Sequence, residues 1–262
     1  MDEEYEELKE VKEAEIKVEP FIKEFAESAK TVIAGNPVCS GCGDIIGLKI
    51  ALQVLEGVLV ANGSVSLLRD YIKVNSVHGI SNAAAVASGI RRSSGENVLV
   101  YADVNSTSST LQSVVNAAKS GENFIYICYN NEPQKSFYKT LSKDAQYVAT
   151  ASVSHPEDYI KKLRKSSSVA GFRFIELLSP CPVLWGYDPS NTIEVARLAV
   201  NSRAWPLIEM EDGRTDITVV PEKAENIENY LQMQKRFSGI KKEEISKIKE
   251  LIDKNWKSIT RK

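Results

Sequence analysis

"NVLVYADVNSTSSTLQSVVNAAKSGENFIYICYNNE" (97–132) decides the fold. Two short apolar runs, "NVLVYAD" (97–103) and "FIYICYN" (124–130), flank "TLQSVVNAAKSG" (110–121), whose apolar spacing is helical. Strand, helix and strand at this spacing make a βαβ unit, and the apolar runs are those of strands covered on both faces. The pattern extends outward. "YIKVNSV" (71–77), "YVATASV" (147–153), "FRFIELL" (172–178) and "PLIEM" (206–210) read as further strands. "SNAAAVASGIRRS" (81–93), "HPEDYIKKLRKSS" (155–167) and "SNTIEVARLAVNS" (190–202) carry helical periodicity between them. The alternation predicts an α/β domain with a mostly parallel sheet between helical layers.

Upstream, the apolar spacing of "GLKIALQVLEGVLVANG" (47–63) predicts one helix ending at Gly57 or Gly63. The first 34 residues are rich in Glu and Lys, with Ile16, Val18, Phe21, Ile22 and Phe25 as a sparse apolar side, and read as an acidic arm. Residues 35–220 form the α/β domain, and 221–262 a helical extension packed on the body or on a partner. Its two helices join at Ser238 and Gly239, and the second offers the stripe Ile245, Ile248, Leu251, Ile252 and Trp256.

Composition narrows the partners. With 33 basic against 35 acidic residues the net charge is −2, which gives no field to draw nucleic acid or an anionic membrane. No apolar run approaches the length of a membrane span, and the N-terminus is acidic where a signal peptide is basic, so a cytoplasmic protein is expected. Four cysteines in 262 residues are too few for a secreted disulfide scaffold.

In a parallel sheet, ligands bind beyond the carboxyl ends of the strands. Asp103 stands at one such end, and Asn130, Asn131 and Glu132 at another. Together they offer the hard oxygens that magnesium takes, although an Asp at a strand end is also a common helix cap. Cys181, between prolines in "SPCPVLWG" (179–186), follows a third strand. Cys39 and Cys42 in "VCSGCGDIIG" (38–47) read as metal ligands, a redox pair or two small buried residues. A thioredoxin-type role suits them poorly, since no strand precedes the pair. Zinc would take the three thiolates with His78 or a water. His78 also reads as a helix-entry or pocket residue, His155 as a helix start, Cys128 as core, and Trp185, Trp205 and Trp256 as core or interface anchors.

The order CSGCG, SNAAAVASGI, VYAD, YICYNNE, YVATASVSHPEDYIKKL, SPCPVLWGYDPSNTIEVARLAV and WPLIEME resembles the β subunit of the 2-oxoacid:ferredoxin oxidoreductases, the pyruvate type in particular, over roughly residues 35 to 255. The resemblance implies a three-layer α/β/α thiamine diphosphate-binding fold. It also implies oxidative decarboxylation of a 2-oxoacid to acyl-CoA, with ferredoxin, coenzyme A and companion subunits as partners. It places Asp103 at the magnesium-binding aspartate of the family's GDG motif, with Asn131 and the carbonyl of Pro133 as further ligands. Val104 lies beside the diphosphate, and so does the helix starting near Asn82. Cys39, Cys42 and Cys181 correspond to three of the four thiolates of a [4Fe–4S] cluster.

Three departures surround that site. GDG becomes Ala102, Asp103, Val104, which adds side-chain bulk beside a diphosphate. The loop that carries the family's fourth cluster cysteine is missing between 74–76 and 77–85, leaving an incomplete iron–sulfur site or another metal. The loop after "YNNE" is short. A non-catalytic paralogue that keeps the fold and assembly surfaces therefore stands as the alternative.

Overall fold

The computed structural model describes residues 32, 33 and 35–260, so the acidic arm lies outside the described residues except for Val32 and Ile33. Eight strands form one sheet: β1 (Val58–Ala61), β2 (Ser76–His78), β3 (Val98–Asp103), β4 (Ile125–Asn130), β5 (Tyr147–Ser152), β6 (Arg173–Leu178), β7 (Leu207–Glu211) and β8 (Arg214–Val219). Their order is β2-β1-β3-β4-β6-β5-β7-β8. The first six are parallel, and β7 and β8 add an antiparallel edge. From β1 the chain moves outward to β2, then returns to pair β3 on the opposite side of β1. That reversal opens the crevice in which α/β sheets bind ligands.

Alternate residues of each strand feed two cores. On one face Leu59, Tyr101, Ile127, Tyr129 and Leu177 pack against helices α1 (Gly43–Val54) and α6 (Pro156–Ser168). On the other, Val60, Val100, Cys128 and Phe174 meet α2 (Ala83–Ser94) and α4 (Leu111–Lys119). The result is the expected three-layer α/β/α arrangement. A third cluster, around Trp185, Trp205 and Tyr230, gathers α8 (Thr192–Asn201) and α9 (Ile227–Gln232). The last helix, α10 (Lys242–Thr260), rests Ile245, Ile248 and Ile252 on that cluster. Leu251 departs from the expected stripe and is 66% exposed.

The sequence reading fails at three places. The helix expected to reach Gly57 or Gly63 stops at Val54, because Leu55 turns extended and Gly57 takes a φ of +137°. "VLVA" is then free to become β1, whose last three residues are wholly buried between β2 and β3. Second, β8 was not foreseen. Asp212 and Gly213, both at positive φ, form the hairpin turn that right-handed strand twist favours. Third, the strand expected over 71–77 shrinks to β2, because residues 63–71 wind into a 3-10 helix and Ile72 makes a single bridge to Val32. After β3, α3 (Val104–Ser109) precedes α4, with Thr110 between them.

Close approach rather than turn geometry requires glycine at position 43, where a Cβ would come within 2.7 Å of the Pro180 carbonyl oxygen. Gly43→Ala is expected to lower the unfolding free energy by about 2 kcal/mol in urea titrations. Exposed Gly89 inside α2 has open space around it, and Gly89→Ala is expected to raise stability by about 0.5–1 kcal/mol.

Candidate cofactor site at the carboxyl edge of the sheet

Asp103 ends β3 and caps α3. Its Oδ1 accepts from the amides of Asn105 and Ser106, both at 3.0 Å. Its Oδ2 accepts from the Ser106 hydroxyl. Each carboxylate oxygen has about two lone-pair sites, so Oδ1 is filled while Oδ2 keeps a free one. Gly63, just beyond β1, closes over the same carboxylate. A Cβ there would collide with the Tyr129 hydroxyl and lie 2.5 Å from Asp103 Oδ2. The β1 and β3 ends thus meet in the crevice.

A second carboxylate lies beside it. Asp44, in the first turn of α1, is 3% exposed. Ser64 and Ser179 each donate a hydroxyl to it at 2.8 Å, and the Tyr101 hydroxyl donates to its backbone oxygen at 2.7 Å. Burial pushes the Asp44 carboxyl above the ordinary range against the pull of the two serines, and the nearby Asp103 charge pushes the same way.

The loop after β4 carries the next donors. Asn130 is fully buried and structural, donating to Glu176 at 2.8 Å and accepting from the Glu132 amide at 2.8 Å. Glu176, fully buried in the middle of β6, also accepts from the Ser136 hydroxyl and from the amides of Phe137 and Tyr138. Burial raises its pKa, and these donors oppose the rise. Trp185 Nε1 donates to the carbonyl of Asn131 at 2.7 Å. The stretch carrying Asn131 and Pro133 is therefore pinned from both ends. Above it, Asn105 donates to Glu132 at 2.6 Å and accepts from Lys135 at 2.7 Å, a polar bridge between the segments following β3 and β4.

The expected site residues separate into groups. β3 and β4 are neighbours, with Asp103 opposite Tyr129, so Asp103 and Asn131 do lie at adjoining strand ends. Val104 sends a fully buried side chain into the second core, so its added bulk is spent there. Asn82 caps α2 through Ala85 and donates to Ser113 at 2.8 Å. His155 starts α6 as expected, its Nδ1 2.9 Å from Ser154 Oγ. His78 ends β2 with Nε2 2.8 Å from Ser76 Oγ, and burial lowers its pKa.

The cysteines divide too. The CSGCG turn docks on the loop after β6, with the Gly43 amide donating to the Pro180 carbonyl. Cys42 and Cys181 lie within electrostatic reach of each other, as do Cys181 and Cys39. Burial, then Asp44, drives the Cys42 thiol up to about 12. Cys128 is fully buried in the opposite core.

The two groups that the resemblance implies therefore fare differently. The oxygen set of Asp103 Oδ2, Asn131 and the Pro133 carbonyl has the hardness and number of protein ligands that a magnesium diphosphate takes. A cubane cluster takes four thiolates, and the three thiols at this edge fall one short, Cys128 lying in the opposite core. Among the described residues, no group of three or more His, Cys, Asp or Glu is arranged to hold a metal ion.

The chain is 35% identical to the pyruvate synthase subunit PorB of Methanothermobacter marburgensis, across 84% of this chain and 93% of that one. The chain belongs to the β-subunit family of the 2-oxoacid:ferredoxin oxidoreductases. Another relative, the ketoisovalerate oxidoreductase subunit VorB of Pyrococcus furiosus, is 27% identical over 86% of this chain and 91% of its own. A solved 2-oxoglutarate:ferredoxin oxidoreductase from Magnetococcus marinus shares the fold, with a TM-score of 0.52 and 16% identity over 65% of this chain and 80% of that one. No family model matches the chain. No helix among the described residues is long and apolar enough to cross a membrane.

The residues that sequence reasoning missed are those that set the site in place: Asp44, Ser64, Ser179 and Glu176. Asp44 carries a measurable sign. The native state holds its proton more tightly than the unfolded chain, so this carboxyl's contribution to stability is full at low pH and lost as pH rises above the carboxylate range. Asp44→Asn is expected to remove part of that loss, giving a flatter unfolding free energy between roughly pH 4 and roughly pH 7 in urea titrations. Glu176 supplies a slope of the same sign that remains.

Proposed function

We propose that this chain is the thiamine diphosphate-binding β-type subunit of a pyruvate-type 2-oxoacid:ferredoxin oxidoreductase. Asp103, Asn131 and the Pro133 carbonyl hold Mg²⁺ and the cofactor diphosphate. The overall reaction converts a 2-oxoacid and coenzyme A to acyl-CoA and CO2, with two electrons passing to ferredoxin. The observation that carries the reading is the Asp103 carboxylate, fixed by two backbone amides with one oxygen still able to bind a cation.

Bound thiamine diphosphate supplies the carbon nucleophile and electron sink for cleaving the bond to the carboxylate. This chain's residues bind and orient. Asp103 needs no reorganisation to meet the metal, because α3 already fixes its rotamer. Glu176 holds the loop that presents Asn131 and Pro133, and the Asn105, Glu132 and Lys135 bridge covers the adjoining segments. Of the departures that favour a scaffold role, Val104 weighs most, and its side chain lies in the core. Three thiols at this edge fall one short of a cubane cluster's four, which supports an electron relay carried by companion subunits.

The decisive experiment is calorimetric titration of the chain, copurified with its companion subunits, with thiamine diphosphate and Mg²⁺. Saturable Mg-dependent binding is expected, weakened about 100-fold by Asp103→Ala and about 10-fold or more by Asn131→Ala. The 2-oxoacid-dependent reduction of ferredoxin should fall in parallel. Absence of both binding and reduction removes the enzymatic reading. Iron and sulfide analysis of the separated chain after anaerobic reconstitution is expected to give no stoichiometric cluster, and a four-iron signal in the reduced chain would contradict that expectation.

A further inference from the structure

Beside the third cluster, between α10 and the body, lies a cleft of about 600 Å³. This is within the size range of small-molecule pockets, about 300–1,000 Å³. Its walls are apolar and aromatic, with Trp205, Tyr230 and Phe237 on the body and Ile252 on α10, while exposed Leu251 forms the rim. Two arginines also line it.

Arg203, just past the end of α8, lays its guanidinium 4.7 Å from the ring centroid of Trp256, and its Nε is buried with no hydrogen-bond partner. Arg236 stacks 3.8 Å over Trp185 and 4.9 Å from Phe237, and its Nε donates to Gln234 at 2.8 Å. Among the described residues neither has a carboxylate within 4.0 Å, although Arg236 also meets the Tyr230 hydroxyl and feels the Glu132 charge from further off. Burial lowers the Arg236 pKa, a sign of a cation short of water.

A cleft that is otherwise apolar gains nothing from two like charges, and an orphaned guanidinium N–H costs the fold its full desolvation. Stacking on Trp256 and Trp185 holds the planes of the two cations, but it leaves Arg203 Nε unpartnered and puts no carboxylate in contact with Arg236. Planar guanidinium edges suit carboxylate, sulfonate and phosphate oxygens. We infer that this cleft binds a small organic anion, with an aromatic or acyl body lying against Trp205, Tyr230 and Ile252 and an oxyanion head between Arg203 and Arg236. The anion head would meet Arg203 and Arg236 and not Asp103 or Asn131, although Pro133 lines the cleft as well and Trp185 joins Arg236 to the Asn131 carbonyl.

Naphthalene-2-sulfonate and its neutral counterpart 2-naphthol are the probes, titrated calorimetrically into the full chain alone and in its complex. One saturable site for the sulfonate is expected in both, at least tenfold tighter than for 2-naphthol. Arg203→Ala and Arg236→Ala should each weaken the sulfonate at least tenfold, with circular dichroism confirming that both fold. Leu251→Glu, placing a carboxylate on the exposed rim, should weaken the sulfonate and spare 2-naphthol. Equal affinity for the two probes, no sulfonate binding, or sulfonate affinity unchanged in these variants would overturn the inference. So would binding to the isolated chain that vanishes in the complex, which would make the cleft a seat for a companion subunit. Binding of thiamine diphosphate, measured on Arg203→Ala and Leu251→Glu, should not change, which separates this outcome from failure of the cofactor site.

Discussion

A carboxylate removed from water must be solvated again by the protein, and at Asp44 that requirement organises the whole carboxyl edge of the sheet. Its two serine donors come from the loops after β1 and β6, which β3 and β4 separate. Between them, Tyr101 of β3 bonds the Asp44 backbone, and Tyr129 of β4 stacks on Tyr101 with centroids 4.9 Å apart. The first turn of α1 is thereby tied across the four central strands. Gly43 lets that turn approach the backbone after β6, where any Cβ would strike Pro180. Everything at the strand ends, Asp103 included, is positioned against this turn. The serines offset only part of the desolvation, which is why the Asp44 proton is held more tightly than in the unfolded chain.

Much of the fold was legible because buried parallel strands write themselves as short continuous apolar runs. β3, β4, β5, β6 and β7 all sit within a residue or two of where those runs place them. β1 was not, for a physical reason: "VLVA" continues the apolar spacing of α1, and a four-residue strand carries too little pattern to outvote a helix. What separates them is Gly57, whose positive φ allows the chain to reverse toward Asn97. β8 is missed for the opposite cause. Its residues alternate between exposed and half-buried at the sheet edge, so it lacks an apolar run, and only the Asp212–Gly213 turn marks it.

The site was legible where chemistry coincides with a strand end. Asp103 closes β3, and Asn131 follows Asn130, the last residue of β4, so both stand where an apolar run ends. Asp44 and Glu176 were hidden for a common reason. One reads as an ordinary acidic residue in a helix's first turn, the other as a polar interruption in "FRFIELL", and their partners are remote: Ser179 is 135 positions from Asp44, and Asn130 is 46 from Glu176. Sequence spacing predicts contacts within an element; it says little about donors assembled by a sheet from six different loops and strands.

The contrast between the two donor sets follows from what positions each. The oxygen donors are at or next to strand ends, and backbone pairing between β3 and β4 fixes them relative to one another, so loop loss nearby leaves them in register. The thiols belong to loops. Cys39 and Cys42 depend on the CSGCG turn, Cys181 on a turn between prolines, and a fourth would have to come from the segment before Gly79, where the chain passes directly from β2 into "HGISN". Shortening a loop costs a fold little, since closure entropy depends weakly on length, but it deletes any ligand that the loop carried. Loop shortening can therefore remove a thiol while leaving in place the Asp103 and Asn131 oxygens, the helix cap that orients Asp103 and the three-layer frame beneath them. Groups held by the sheet keep their register through such changes, and groups held by loops do not.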